Sequence, residues 1–577
     1  MVFSRLSRLF GLSRLFTIWR PSSAAQGSLR QRNPCRPLLA YTLNFKRRFQ
    51  AGCLTLLCTL ATWPQVSAKG IDAEFQHITL SLSQEPPNLD TSLSEDTTSA
   101  FILGLINEPL VRVDRRGKIQ PAVASSWRLQ PKSATFSLRR DARWSNGQNV
   151  TAHDFVYAWR RLVDPRTAAA GSSFFADLLL NGKEILAGQL PPEDLGVVAL
   201  DDYTLEVTLS RPAPYLLNVL SGTPYMPLNE AFVSAQQDRY GADASNLLSN
   251  GPFKLDNWVH SASMSMSRNV HYWNQAKIKL NGIKIGYITA DNRSLLNLFK
   301  SGELAALTLD EDILEDASAA GYRINKAPSN CMAWLILNMR PDRPTASRKL
   351  RQAIRLSINR DTYINNIIGM PGVEKIESVL SGPTQGLNGR FQTEYPANPI
   401  DFDISQAKRL LSEARAELGL MEMPPIILLA NETRQIDAEF VQSQLQNGLG
   451  LDVRVDKQTF KQAIAKMHAG EFDIARAAFC GGSVFDPVFF AGIFQSRSPY
   501  NDGGFQHPTY DQLLTLTHST NDQLVRMNAF GKMQQILFEE APIIPTHIYS
   551  QVYIQNERLK GLVRYPVIDF SKGYIDN

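Results

Sequence analysis

A chain of 577 residues exceeds a single ordinary hydrophobic core, so two or more lobes are expected. With 44% hydrophobic and 20% charged residues it has the composition of a soluble globular protein. The net charge of +5 is unevenly spread. Ten of the 60 basic residues lie between Arg5 and Arg48 and no acid precedes Asp72, so beyond Ala68 there remain 50 basic against 55 acidic residues. That balance argues against a nucleic-acid partner, which needs a basic face.

From Lys46 the chain reads KRRF, AGCLTLLCTLATW and PQVSA: a charged start, an apolar run of thirteen residues and a Val-Ser-Ala end before Lys69. This pattern fits a secretory signal peptide cleaved after Ala68, giving a leader over residues 1–68. Thirteen helical residues span roughly 20 Å, short of the roughly 30 Å hydrocarbon layer, so a permanent membrane span is not expected. Competing readings are an organellar transit peptide, translated sequence upstream of the true start, a twin-arginine signal at Arg47-Arg48, or lipid-anchor cysteines at Cys53 and Cys58. Beyond the leader only Cys331 and Cys480 remain of five cysteines. An oxidising compartment favours pairing them over two buried free thiols.

In chain order, HITLSLSQ from His77 alternates as a strand, EPPNLD turns, and a helix is predicted around Ser99–Asn107. The run ATFSLRRDARWSNG from Ala134 reads as a strand ending in an Asn146-Gly147 turn. Thr151 and Asp154 form a capping box for the next helix, which Pro165 stops. DDYTLEVTLS from Asp201 is a one-sided strand carrying Tyr203, Leu205, Val207 and Leu209. Further on, Asp403 and Gln406 cap a helix with Ala407, Leu410, Leu411 and Ala414 on one face. PPIILLA from Pro424, a helix through Phe440 and Leu445 ending near Gly448, LDVRVDKQ from Leu451, a helix from Thr459 and FDIARAAF from Phe472 follow. Strand-helix-strand-helix-strand at this spacing implies a parallel sheet with helices on its faces.

Catalytic and metal signatures are missing. The histidines (His77, His153, His260, His271, His468, His507, His518, His547) are scattered, without a His-x-x-x-His pair, so no metal site is expected. There is no Walker sequence, no Gly-x-Ser-x-Gly elbow and no dinucleotide fingerprint. Asp310, Glu311, Asp312, Glu315 and Asp316 read as a solvated helix face rather than a calcium loop. No cofactor is implied. The segment Ala478–Tyr510, AFCGGSVFDPVFFAGIFQSRSPYNDGGFQHPTY, instead suits the wall of a ligand cleft. Its aromatics supply apolar contact area, and its glycines let backbone approach a ligand closely.

The runs EPLVRVDRRGKIQPAVASSWRL from Glu108 and ATFSLRRDARWSNGQNVTAHDFVYAWRRLVDP carry a family resemblance. It recurs in SNGPFKLDNWV at Ser249, NVHYWNQAKIKLN at Asn269, LRQAIRLSINRDTYI at Leu350 and FDIARAAFC at Phe472. In these, over Gln76–Asn577, the chain resembles the solute-binding proteins of bacterial peptide ABC importers, the oligopeptide-binding type of family 5. The resemblance implies an α/β, two-lobed periplasmic-binding-protein fold of cluster C type with an extra small domain in the N-terminal half. Lobe I would take residues 69–110, 232–330 and 548–577, the extra domain II 111–231, and lobe III 331–547. A periplasmic, monomeric, non-enzymatic protein is implied, with a peptide or peptide-like ligand and an ABC permease in the inner membrane as partners.

By position, the resemblance puts Ser94, Glu95, Asp96 and Thr97 along a bound peptide's backbone and Ser249 and Asn250 near the hinge side. It places Arg476 close to ligand and makes Ala478, Phe479, Cys480 and Gly481 the strand that pairs with peptide main chain. Cys331 and Cys480 fall where the family's oligopeptide binders have a disulfide. One departure stands out. The family holds an aspartate for the ligand's α-ammonium three residues after the aromatic; here that place is Gly482 or, given one extra residue, Ser483. Burying an ammonium without its counter-ion costs about 3–5 kcal/mol, several hundred-fold or more in affinity. Asp486 or Glu95 could replace the charge, although an Asp-Pro step is more often a cap or turn. Otherwise the ligand is N-blocked or not a peptide (a sugar, haem, opine or metal chelate), and the rival class is an exported hydrolase.

Overall fold

Two strands of thirteen residues, Asn325–Leu337 and Ile543–Gln555, organise the molecule. Each extends about 40 Å at the usual strand rise, enough to serve two separate cores. The computed structural model describes residues 69–576 apart from 95, 115–116, 170, 432–434, 482–484 and 566–567, so the leader reading lies outside the described residues. The two long strands run antiparallel, from Asn325 opposite Tyr553 to Ile336 opposite Ile543. At one end Val552 and Ile554 are buried with Leu295, Phe299 and Ile313. At the other, Leu335, Leu337 and Ile544 are buried with Ile354, Leu411 and Leu445. Pairing lapses between Pro328 and Met332. Proline lacks an N–H, so the lapse begins where the ladder loses a donor.

Ahead of these strands lies a five-stranded sheet in the order Ile71–Asp72, His77–Leu82, Gly282–Ile288, Ser263–Arg268, Phe253–Val259. The predicted His77 strand pairs parallel with Gly282–Ile288. The helix after it runs Thr97–Ile106, started by Asp96, whose carboxylate accepts from the Thr98 and Ser99 N–H groups.

A separate antiparallel sheet of four strands joins Ala124–Gln130, Ser133–Leu138, Thr204–Thr208 and Val197–Asp201. The strand predicted from Ala134 to the Asn146-Gly147 turn is shorter than expected and ends at Leu138. Arg139 follows the last strand residue: its N–H donates to the Val123 carbonyl, its Nε to the Ala122 carbonyl, and its guanidinium lies 3.6 Å from the Trp273 ring centre. The turn itself is present, with Gly147 at φ +88 donating its N–H to the Trp144 carbonyl. Helix Ala152–Val163 packs beside this sheet, its Thr151 N–H donating to the Asp154 carboxylate at 2.7 Å, and it stops ahead of Pro165. Buried Phe136, Phe155, Trp159, Leu205 and Val207 form this part's core.

In the C-terminal half, helices Ile404–Leu418, Gln435–Leu449 and Phe460–Ala469 alternate with strands Ile426–Asn431, Val453–Gln458 and Ile474–Cys480. Ile426–Asn431 runs parallel to both neighbours, as the spacing implies. Ile474–Cys480 then pairs antiparallel with the first long strand, so the complete sheet has seven strands and is mixed. Residues 331 and 480 oppose each other there and form the disulfide, with Cα atoms 3.9 Å apart.

Candidate functional site

The strand Ile474–Cys480 is fully paired on one side, from Cys331 opposite Cys480 to Leu337 opposite Ile474. On the other side, among the described residues, only Ile474 and Ala475 have strand partners, Leu428 and Leu429. Beyond Ala475 the two parallel strands part. The Gly481 N–H donates to the Asn330 carbonyl at 2.9 Å, which fixes the phase of the ladder. Strand alternation then turns the polar groups of Phe479 and Ala477 toward the same neighbour and those of Ala478 and Cys480 toward the open side. Ala478 and Cys480 are correspondingly exposed. The result is a short unfilled sheet edge, a template for one more extended segment.

Two cavities flank this edge. A cleft of about 1270 Å³ is lined by Ser94, Asp96 and Thr97 on one side and Cys331, Cys480 and Gly481 on the other. A cavity of about 310 Å³ opens where the parallel strands part, walled mainly by Trp334, Ile464, Met467, Phe494 and Phe505. Tyr500 lines both, and its ring meets Phe479 edge-on at 5.5 Å. The cleft exceeds the roughly 300–1,000 Å³ of ordinary small-molecule pockets, while the side cavity suits one large apolar group.

The charges beside the edge are largely neutralised from within. Arg476 meets Asp437 at 3.0 Å and donates to the Tyr549 hydroxyl. Those partners hold the guanidinium charged although it is substantially buried. Asp96 spends one carboxylate oxygen on the two helix N–H groups and the other on the Ser99 hydroxyl. Asp486 accepts from both terminal nitrogens of Arg526 at 2.9 Å and from the Val488 N–H. It caps its turn and holds a fully buried arginine, so it is not free to meet a ligand ammonium.

The structure therefore brings Ser94, Asp96, Thr97, Cys480 and Gly481 to one cleft, with Arg476, Ala478 and Phe479 on the adjoining cavity. Ser249 and Asn250 are buried away from the lining. Asn250 acts through Glu108, accepting from its N–H and donating to its carbonyl. Glu108 in turn takes hydrogen bonds from Tyr272, Trp273 and Arg112, and Arg112 does line the cleft. Glu95, Gly482 and Ser483 lie outside the described residues. Sequence reasoning missed Asp437, Tyr500, Met467 and Arg112. The acid in the first turn of Gln435–Leu449 was visible, but nothing local ties it to Arg476. Among the described residues no group of three or more His, Cys, Asp or Glu side chains is placed to hold a metal ion, and no helix is long and apolar enough to cross a membrane.

Two α/β lobes on shared long strands, closing a walled cleft against an unfilled sheet edge, define a solute-binding protein. The profile of the bacterial extracellular solute-binding proteins, family 5 Middle, matches residues 118–502, and the chain belongs to that family. The dipeptide-binding protein DppE of Bacillus subtilis (strain 168) is 32% identical over 85% of this chain and 89% of its own length. The substrate-binding domain of an oligopeptide ABC transporter from Bacillus anthracis str. Ames superposes with a TM-score of 0.74 at 30% identity, covering 88% of this chain and 99% of that one. Listeria monocytogenes OppA bound to peptide superposes with a TM-score of 0.73 at 28% identity, covering 87% and 99%.

Proposed function

We propose that the protein is the substrate-binding component of an ABC importer, capturing oligopeptides or peptide-like ligands and delivering them to a membrane permease. The observation that carries this reading is the unfilled edge at Ala478 and Cys480, between the cleft and the side cavity. Main-chain pairing there recognises any extended peptide, and side-chain pockets add selectivity. The cavity behind Phe479 would take one large apolar side chain of the ligand. Arg476 would guide a ligand carboxylate only in competition with Asp437. Ser94 and Thr97 would face the ligand from the opposite wall.

In this reading residues 69–110, 232–330 and 548–577 form lobe I, 111–231 the extra domain and 331–547 lobe III. The mature chain starts at Lys69 in the periplasm, works as a monomer and retains its ligand without turnover. Kinship with the dipeptide- and oligopeptide-binding relatives supports peptide capture over the non-peptide and hydrolase alternatives. The test is to purify the mature protein gently, identify any co-purified molecule by mass spectrometry, and incubate the protein with mixed short peptides. Intact peptide retained one to one is expected. Hydrolysis of the peptides, or a non-peptide molecule held instead, overturns the proposal.

A further inference from the structure

The charges lining the cleft are unequal in availability. Among the described residues three acids line it, Asp96, Asp114 and Asp569. Each is held by its own wall. Asp96 is tied up as a helix cap. Asp114 accepts the Lys118 N–H and the Gln120 side-chain amide. Asp569 accepts the Ser571 N–H and sits 4.0 Å from Arg112. Asp486, one of the two candidate counter-ions from the sequence, is committed to Arg526.

The cations are freer. Lys118 and Lys572 line the same cleft, are exposed, and among the described residues have no ion pair or side-chain hydrogen bond. Arg112 spends its Nε on Glu108, while its buried Nη2 has no hydrogen-bond partner among the described residues. A backbone feature sets where Lys118 stands. Gly117, at φ +77, makes the tight turn of the Val111–Val113 and Ile119–Pro121 hairpin, and a Cβ there would lie 3.3 Å from the Gln385 side chain and 3.8 Å from Phe485. That turn brings Lys118 to the rim where residues of the C-terminal half approach.

We infer that the cleft selects ligands with an anionic group, a carboxylate that meets Lys118 and Lys572, over neutral or cationic ones. The inference rests on the peptide-capture reading and narrows it to acidic peptides. It also gives the missing ammonium partner a rationale: a wall with spare ammonium groups repels a second one, and opposite charge favours the acid at encounter. A carboxylate can come from the ligand's C-terminus or from an acidic side chain, and the chemistry at the wall is the same.

The test uses the mature chain and calorimetric titration with N-acetyl-Ala-Phe-Xaa-Ala tetrapeptides, where Xaa is Glu, Gln or Lys, each as free acid and as C-terminal amide. The Glu peptide is expected to bind at least tenfold tighter than the Gln peptide and the Lys peptide weakest, with the Glu advantage shrinking between 50 and 500 mM salt. The double variant Lys118→Ala, Lys572→Ala should erase the Glu-over-Lys ranking. Loss of binding on amidation alone assigns the wall to the C-terminal carboxylate; survival of the ranking in the amides assigns it to the side chain. Equal binding of Glu and Lys peptides with no loss on amidation, or a double variant that changes neither the ranking nor the amidation effect, overturns the inference while leaving peptide capture standing. Binding of none of the six sinks the peptide reading and this inference with it.

Discussion

Asp486→Ala isolates a structural charge from a ligand-binding one. Arg526 is fully buried, and both terminal nitrogens rest on Asp486 at 2.9 Å, with Nε on the Thr517 carbonyl at 3.1 Å and Nη1 on Gln523 at 3.0 Å. Removing the carboxylate strands a buried cation, which costs about 3–5 kcal/mol. In a lobe of about 200 residues each kcal/mol is worth roughly 2–4 °C, so the transition of that lobe should fall by roughly 6–20 °C. The double variant Asp486→Ala, Arg526→Met replaces the pair with apolar volume beside Tyr215 and Phe530 and should recover most of the loss. Differential scanning calorimetry of the wild type, both single variants and the double variant closes the cycle. A fall below 2 °C in Asp486→Ala, or a double variant no better than the worse single one, would refute the reasoning.

Three further outcomes are expected. Ala478→Pro removes an outward N–H, so peptide affinity should drop roughly two- to tenfold with little change in Tm, whereas Ala477→Pro should lower Tm by breaking an inward ladder bond; the reverse pattern in titration and calorimetry would show the ladder phase to be wrong. The Cys331–Cys480 disulfide spans a sequence separation of 149 residues, and opening it should cost up to about 5 kcal/mol; urea unfolding of Cys331→Ser, Cys480→Ser with an unshifted midpoint would contradict this. Burial pushes the Asp154 carboxyl up to about 6, above its unfolded value, so its favourable contribution is present below the ordinary carboxylate range and is lost as pH rises toward 6. The Tm of Asp154→Asn relative to wild type should therefore rise between pH 4 and 6.5 and then level off; a difference independent of pH would count against it.

The parallel core of the C-terminal half was legible because each strand is a short apolar run and each helix carries its own start signal, such as Asp403 and Thr459. The long strands were not. In Asn325–Leu337 exposure alternates only as far as Pro328, and from Ser329 on the strand is almost wholly buried, so no single period announces it. The cleft shows the same division. Its aromatic and glycine-rich wall reads from local composition, whereas the Asp437–Arg476 and Asp486–Arg526 pairs join residues 39 and 40 positions apart, through packing that no local pattern encodes. Asn250 illustrates a subtler limit: a polar residue at a matching position can serve the site by holding Glu108 rather than by touching ligand.

The unfilled edge at Ala478 and Cys480 also bears on how such a protein stays soluble at high concentration. Bare strand edges recruit other sheets, and proteins usually blunt them with charge, proline or cover. This edge has alanine and a disulfide-bonded cysteine instead, and it is recessed between the cleft and the side cavity. A recess admits one extended chain, which adds about 4.8 Å to a sheet, more readily than a folded neighbour's sheet with its packed layers about 10 Å apart. The recess thus acts as a size filter on partners, turning an aggregation hazard into a slot for a single strand.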